Sequence, residues 1–360
     1  MSRYEERLEK DLENIHALVA DVSRRVETGL ADGIRSVLSG NEELAFQTVL
    51  GDEAVNTLFR KIDQQCHTFI ARHLPSAGHL RRISATLRTN LQLERVGDYT
   101  VVIAREGMQL AEPPTGTLAT DLEIVATDGS RILGQAIDAF LSENGDAART
   151  TQALASGAQR TMDRIYTRLL SEDFGVEIRD RIAYFAIYNQ LKRLWDQAKN
   201  ICEETIFLVS GETKPRKVHR VLFIDENNSG LSQMAQAIAN KLYPEQAQYA
   251  SAGRIAAEEL NPAMVSFMEG HGFDLSDAAL EALPKDVQEL DEYFVIVSVE
   301  GSFRSYCPKI PFHTAGFSWD VGSIPTGLSD SETEQAFEEL YRELALCIRD
   351  LIDRLTGEVD

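Results

Sequence analysis

The sequence predicts a multidomain chain: an all-α first half made of helices in two repeated bundles, then a small α/β unit around a parallel sheet. Three observations carry this. Apolar residues recur at helical spacing from Arg3 to about Ser210, as in Leu8, Leu12, Ile15, Val19, Val22 and Val26, while strand-like alternation is scarce. Two short motifs reappear at nearly one offset: Asp63 in LFRKIDQQC has a counterpart 100 residues on in Asp163 of TMDRIYTRL, and LERVGD from Leu93 has one 98 residues on in LKRLWD from Leu191. After SGETKPRKVHR the pattern changes to VLFI, DENNSG and LSQMAQAIANKL, which reads as strand, loop and helix.

The boundaries follow from local composition. AEPPTGTLATD, Ala111 to Asp121, places two prolines and a glycine between the repeats, so the first bundle is assigned to 1–112 and the second to 117–212. A basic linker with Pro215 runs from Thr213 to His219. The α/β unit spans 220–357, with a second apolar run, YFVIVSV from Tyr293, and a terminal amphipathic helix in AFEELYRELALCIRDLIDRL.

Composition narrows the functions. The chain has 360 residues, 43% of them hydrophobic, enough for two or three cores. Lys and Arg number 36 against 57 Asp and Glu, a formal net charge of -21, which repels nucleic acid and anionic lipid alike. Cys66, Cys202, Cys307 and Cys347 show no CxxC or short pairing, so neither a disulfide framework nor a zinc site is expected. The charged start MSRYEERLEKDLENI lacks a signal-peptide core, and no run nears the roughly 18 apolar residues of a membrane span. The expectation is a cytoplasmic protein with no nucleic-acid partner and no direct membrane insertion.

In LERVGDY, Glu94 and Asp98 stand four residues apart, on one helix face about a turn from each other, where they can share a hard or borderline cation or form a solvated acidic face. Gly97 between them costs about 1 kcal/mol in a helix interior unless close packing or access needs it.

The run from Asp52 through LFRKIDQQC, LPSAGHLRRISATL and LERVGDYTVVIA, with NICEETIFLVSGE at the end of the second repeat, resembles the PhoU family of bacterial phosphate-uptake regulators over roughly Tyr4 to Gly211. The resemblance implies tandem three-helix bundles and, in each third helix, an acidic motif that binds iron or another metal. By this match Glu94 and Asp98 are the first-repeat ligands, for Fe, Mn, Mg or Zn, with Asp63, Asp163 and Asp196 as weaker candidates. The second repeat departs from the motif: Lys192 replaces the first carboxylate and Trp195 the glycine, so Asp196 is expected to pair with Lys192. The implied role is negative regulation of phosphate uptake or of starvation signalling, with a sensor histidine kinase or a phosphate transporter ATPase as partner. A homodimer is left open.

VLFIDENNSGLSQMAQA, Val221 to Ala237, has the outline of a phosphate loop, with backbone amides of Glu226, Asn227, Asn228, Ser229, Gly230 and Ser232 leading into a helix N-terminus. It is similar to the low-molecular-weight tyrosine phosphatase and arsenate reductase family, with further matches in YASAGRIAAEELNPAMVSFMEGHGFDLS, LDEYFVIVSV and FSWDVGS. Asp225 stands where that family has its nucleophilic Cys, and Leu231 where it has its Arg. A carboxylate near 4 Å from an entering oxyanion repels it by about 4 kcal/mol at an effective dielectric near 20. The expectation is a pseudo-phosphatase domain. Two alternatives are a divergent arsenate reductase or phosphatase using Asp225 and Asp320, which lies near the family's general-acid loop, and a metal-binding helical sensor or storage protein. Cys307 lacks a redox partner in VIVSVEG and is expected to be inert.

Overall fold

The apolar stripe of the N-terminus becomes one helix, α1, Arg3–Ser39, whose buried face is Leu8, Leu12, Ile15, Val19, Val22, Val26, Leu30 and Val37. Spacings of three and four keep these side chains on one side. Asn41 then caps α2, Glu42–His73, with its Oδ1 accepting the Leu44 N–H at 3.0 Å. Leu74 turns the chain at φ 43° ahead of Pro75, and α3 runs Ala77–Gly107. The double proline leads into α4, Gly116–Leu141, followed by α5, Gly145–Ala155, and α6, Ile178–Ser210.

The computed structural model describes residues 3–155, 162, 165–166, 168–169, 177–213, 218–311 and 314–357, and the chain divides into two units, Met1–Pro215 and Arg216–Asp360. Asp163 and linker positions 214–217 lie outside the described residues.

Both repeats share one core in the helical unit. Leu93 and Val96 of α3 belong to the same buried cluster as Leu194, Ala198 and Ile201 of α6. Polar ties flank this seam: Arg88 pairs with Glu204 at 2.7 Å, and the Gln197 amide donates to the Tyr99 hydroxyl at 3.2 Å.

In the second unit the predicted strand-loop-helix is β1, His219–Asp225, and α7, Leu231–Leu242. There follow β2, Ala247–Gly253, α8, Pro262–Gly270, β3, Val295–Ser298, β4, Ala315–Ser318, and α9, Asp330–Thr356. All pairings are parallel, in the order β2-β1-β3-β4. The VLFI run is apolar throughout because both faces of β1 are covered: Val221 and Phe223 enter one core with α7, α8 and α9, while Leu222 and Ile224 enter a second. Inner strand β1 therefore delivers its last residue, Asp225, to the carboxyl edge of the sheet, where α/β folds place their sites.

Candidate functional site

The turn between β1 and α7 is held from several directions at once. The Asp225 residue is 2% exposed, and its two carboxylate oxygens accept separate backbone amides: Oδ1 takes the Asn228 N–H at 2.6 Å and Oδ2 takes the Ser232 N–H at 2.9 Å. Ser232 is the second residue of α7, so one of these amides belongs to the helix N-terminus. A third amide, that of Ser229, donates to the Asn227 side chain at 3.3 Å.

Asn228 makes the turn possible. It adopts φ 53°, and its buried side chain donates to the carbonyls of Ser251 and Glu281, both at 3.3 Å, while its Oδ1 accepts from Ser232 Oγ at 3.0 Å. The loop carbonyls are engaged as well: those of Asp225, Glu226, Asn227 and Ser229 accept the amides of Arg254, Ile255, Ala257 and Asn261 at 2.9 to 3.1 Å. This zip requires Gly253, because a Cβ there would stand 2.4 Å from the Asn228 nitrogen.

Leu231, at the expected arginine position, is 1% exposed and part of the apolar core. Arg254 at the loop rim pairs with Glu226 at 3.1 Å and lies over the Tyr306 ring. Asp320 is exposed at φ 50°, and its carboxylate accepts the Gly301 N–H at 2.8 Å, so it ties two loops at the sheet edge together. Burial pushes the Cys307 thiol up to about 11, which leaves it neutral at pH 7, in line with an inert thiol.

In the helical unit, Glu94 and Asp98 share a face of α3 as expected, and a third carboxylate joins them from α2. Burial raises the Asp52 carboxyl, with Asp98 adding to the effect. Burial raises Glu94 too, with repulsion from Asp98 and Asp52. Gly97 is the reason they meet: a Cβ there would be 2.7 Å from Asp52 Oδ1, so the glycine admits the carboxylate against the α3 backbone. A cavity of about 360 Å³ between α1, α2 and α3 is lined by Asp52, Gly29, Gly51 and Gly97 with Arg24 and Arg25. Sequence reasoning missed Asp52, and the signal available for it was the costly Gly97 itself.

Raised carboxyls destabilise the folded chain once ionised, so Asp52 and Glu94 should weaken the fold as pH rises from the ordinary carboxylate range through their folded pKa values. Below the ordinary carboxylate range the groups are neutral in both states and the penalty vanishes. Asp52→Asn is expected to raise stability at pH 7 by up to about 1 kcal/mol, with the gain lost below about pH 3, as read from urea midpoints at the two pH values.

The second repeat differs in the expected direction at one position and not at another. Trp195 is 4% exposed and packs on Gly129, and its indole N–H has no hydrogen-bond partner among the described residues. Lys192 and Asp196 do not form the expected ion pair. Asp196 is exposed at the surface, and partial desolvation by the neighbouring helices outweighs the longer-range pull of Lys192, so its carboxyl is raised. Asp63 also stands apart from the acidic trio: it pairs with His67 at 3.3 Å on its own helix. Eleven residues separate it from Asp52, about 16 Å along α2.

The PhoU domain family pattern matches residues 19–107. This region is similar to PhoU domains. Over 239 residues the chain is 27% identical to the phosphate-specific transport system accessory protein PhoU homolog of Pseudomonas aeruginosa, an alignment covering 64% of this chain and 91% of that protein. Over 205 residues it is 27% identical to the PhoU accessory protein of Escherichia coli strain K12, with 56% and 85% covered. The crystal structure of PhoU from Pseudomonas aeruginosa superposes with a TM-score of 0.54 at 26% identity, covering 57% of this chain and 99% of that one. An arsenate reductase in its oxidized state is matched over 38% of this chain and 99% of its own, at 22% identity and a TM-score of 0.33.

Similarity to PhoU brings the question of a metal. Asp52, Glu94 and Asp98 offer hard oxygen donors of the right type, and no cation of the chain cancels the rise in the Glu94 and Asp52 carboxyls. Their placement is incomplete: among the described residues no group of three or more His, Cys, Asp or Glu side chains is arranged to hold an ion. Glu94 and Asp98, one helical turn apart on α3, are two oxygen donors that a metal would share there. No helix among the described residues is long and apolar enough to cross a membrane.

Proposed function

We propose that the chain is an accessory regulator of phosphate transport that restrains uptake or starvation signalling through protein contacts of its helical unit, and that its α/β unit is not catalytic. The observation that supports the regulatory part most is the alignment to the Pseudomonas aeruginosa PhoU homolog over 91% of that protein's length. The partner is a sensor histidine kinase or the ATPase of a phosphate transporter. With a formal charge of -21 the chain is a poor ligand for promoter DNA, which favours protein contacts as the route of action.

The non-catalytic part rests on the loop. A carboxylate occupies the nucleophile position with both oxygens hydrogen-bonded to amides, and the arginine position is a buried leucine. Loss of an arginine removes charge-assisted bonds worth about 1.5 to 3 kcal/mol each. Purified protein is expected to show neither p-nitrophenyl phosphate hydrolysis nor thioredoxin-dependent arsenate reduction. Turnover that disappears in Asp225→Ala would establish the alternative, a divergent phosphatase or reductase using Asp225 and Asp320. Co-purification from phosphate-replete cells should recover the kinase or the transporter ATPase.

A metal role is supported by the i, i+4 carboxylate pair Glu94 and Asp98 of the first repeat. We expect a divalent or ferric ion to bind there through Glu94 and Asp98, and the second repeat, with Lys192 and Trp195 at the matching positions, to bind far more weakly. Metal analysis of protein purified without chelators checks this: Glu94→Ala and Asp98→Ala should lower the bound Fe, Mn, Mg or Zn, and unchanged content excludes the site. A metal-sensing or storage protein remains the second reading only if metal loading leaves partner binding unaffected.

A further inference from the structure

We propose that the loop after β1 is a latent oxyanion cradle whose occupant is the chain's own Asp225 carboxylate. A turn that aims backbone amides at one point, closed by a helix N-terminus, favours an anion there. In this turn the point is taken: the Asn228 and Ser232 amides, one in the turn and one on α7, converge on opposite oxygens of one carboxylate at 2.6 and 2.9 Å. The carboxylate is 2% exposed and sits as a bound anion would, with a charge of the same sign.

Protein groups on several sides hold the cradle in shape. Four loop carbonyls are bonded to the segment after β2, the Asn228 side chain reaches Ser251 and Glu281, and Gly253 leaves room for the Asn228 backbone. On the outer side, Ile324 lies where a Cβ on Gly230 would stand, at 2.6 Å, and so walls that residue. An empty cradle of this kind would leave amides at a helix N-terminus without an acceptor, which is costly when buried. The internal carboxylate meets that need permanently. The loop therefore stays ordered whether or not inorganic phosphate is present, and it does not report phosphate concentration. Any response of the chain to phosphate must arise elsewhere.

This inference rests on the α/β unit alone and stands or falls separately from the regulatory role of the helical unit. It predicts that removing the carboxylate opens a working anion site. Full-length protein is titrated with inorganic phosphate while the backbone amide resonances of Asn228 and Ser232 are followed, for the parent and for Asp225→Gly and Asp225→Ser. In the parent neither amide should respond. In Asp225→Gly both should shift saturably, with phosphate bound about a hundredfold more tightly or better, the scale set by removing one like charge at contact range. Asp225→Ser keeps an acceptor of the size of cysteine, so it guards against a loop that collapses when emptied, and it should respond in the same way. Phosphate-dependent shifts of Asn228 and Ser232 in the parent, or a folded Asp225→Ser that binds no better than the parent, would overturn the proposal.

Discussion

Gly253→Ala is expected to destabilise the α/β unit by about 3 kcal/mol or more, at the upper end of what overpacking costs. The new Cβ would stand 2.4 to 2.8 Å from backbone atoms of Asn227 and Asn228, and backbone cannot swing aside as a side-chain tip can. Relief requires moving the loop off β2, which breaks the Arg254, Ile255 and Ala257 amide bonds to it. Gly270→Ala is the matched control in the same unit, because nothing lies within 4 Å of its Cβ. Urea midpoints for the two variants should separate widely, the control remaining within about 1 kcal/mol of the parent. Equal midpoints would show that the loop is not pinned as described.

Trp195→Ala should cost about 3 to 5 kcal/mol in the helical unit, the range for emptying a large buried aromatic site. The indole is 4% exposed and lies against Gly129, in the shared core of the two repeats. Its N–H has no partner among the described residues, which trims the loss and argues that packing rather than polarity holds the ring there. At the matching position of the first repeat, Gly97 leaves space for Asp52 beside a cavity of about 360 Å³. The two repeats have therefore diverged toward filling in one and access in the other. Thermal or urea unfolding of Trp195→Ala checks the magnitude, and a change below about 1 kcal/mol would contradict the packing account.

Much of this was legible in the residues. The three-and-four spacing of α1 and the continuous VLFI run specify a long amphipathic helix and a strand covered on both faces, because each period fits one backbone geometry. Gly97 announced a close approach, and the structure supplies Asp52 as the group that needs it. Other features depend on three-dimensional closure. Asp52 lies 45 positions before Gly97, so nothing local joins them. The substitution of Asp225 for cysteine was visible, but that both its oxygens would take loop amides follows from the φ of Asn228 and the narrow pass at Gly253. Lys192 and Asp196 have ion-pair spacing, yet no ion pair joins them among the described residues, because side-chain placement on a packed helix is not encoded by spacing.

The central claim is restraint of phosphate uptake or starvation signalling without catalysis by the loop. Its most direct measurement is phosphate-starvation gene expression in phosphate-replete medium, compared between a strain lacking this chain, the parent, and strains complemented with the full chain or with Asp225→Ala. Deletion should raise expression, and both the full chain and the Asp225→Ala variant should restore repression, as expected if repression needs no turnover by the loop. Expression unaltered by the deletion would contradict the regulatory role, and failure of a folded Asp225→Ala chain to complement would contradict the non-catalytic loop.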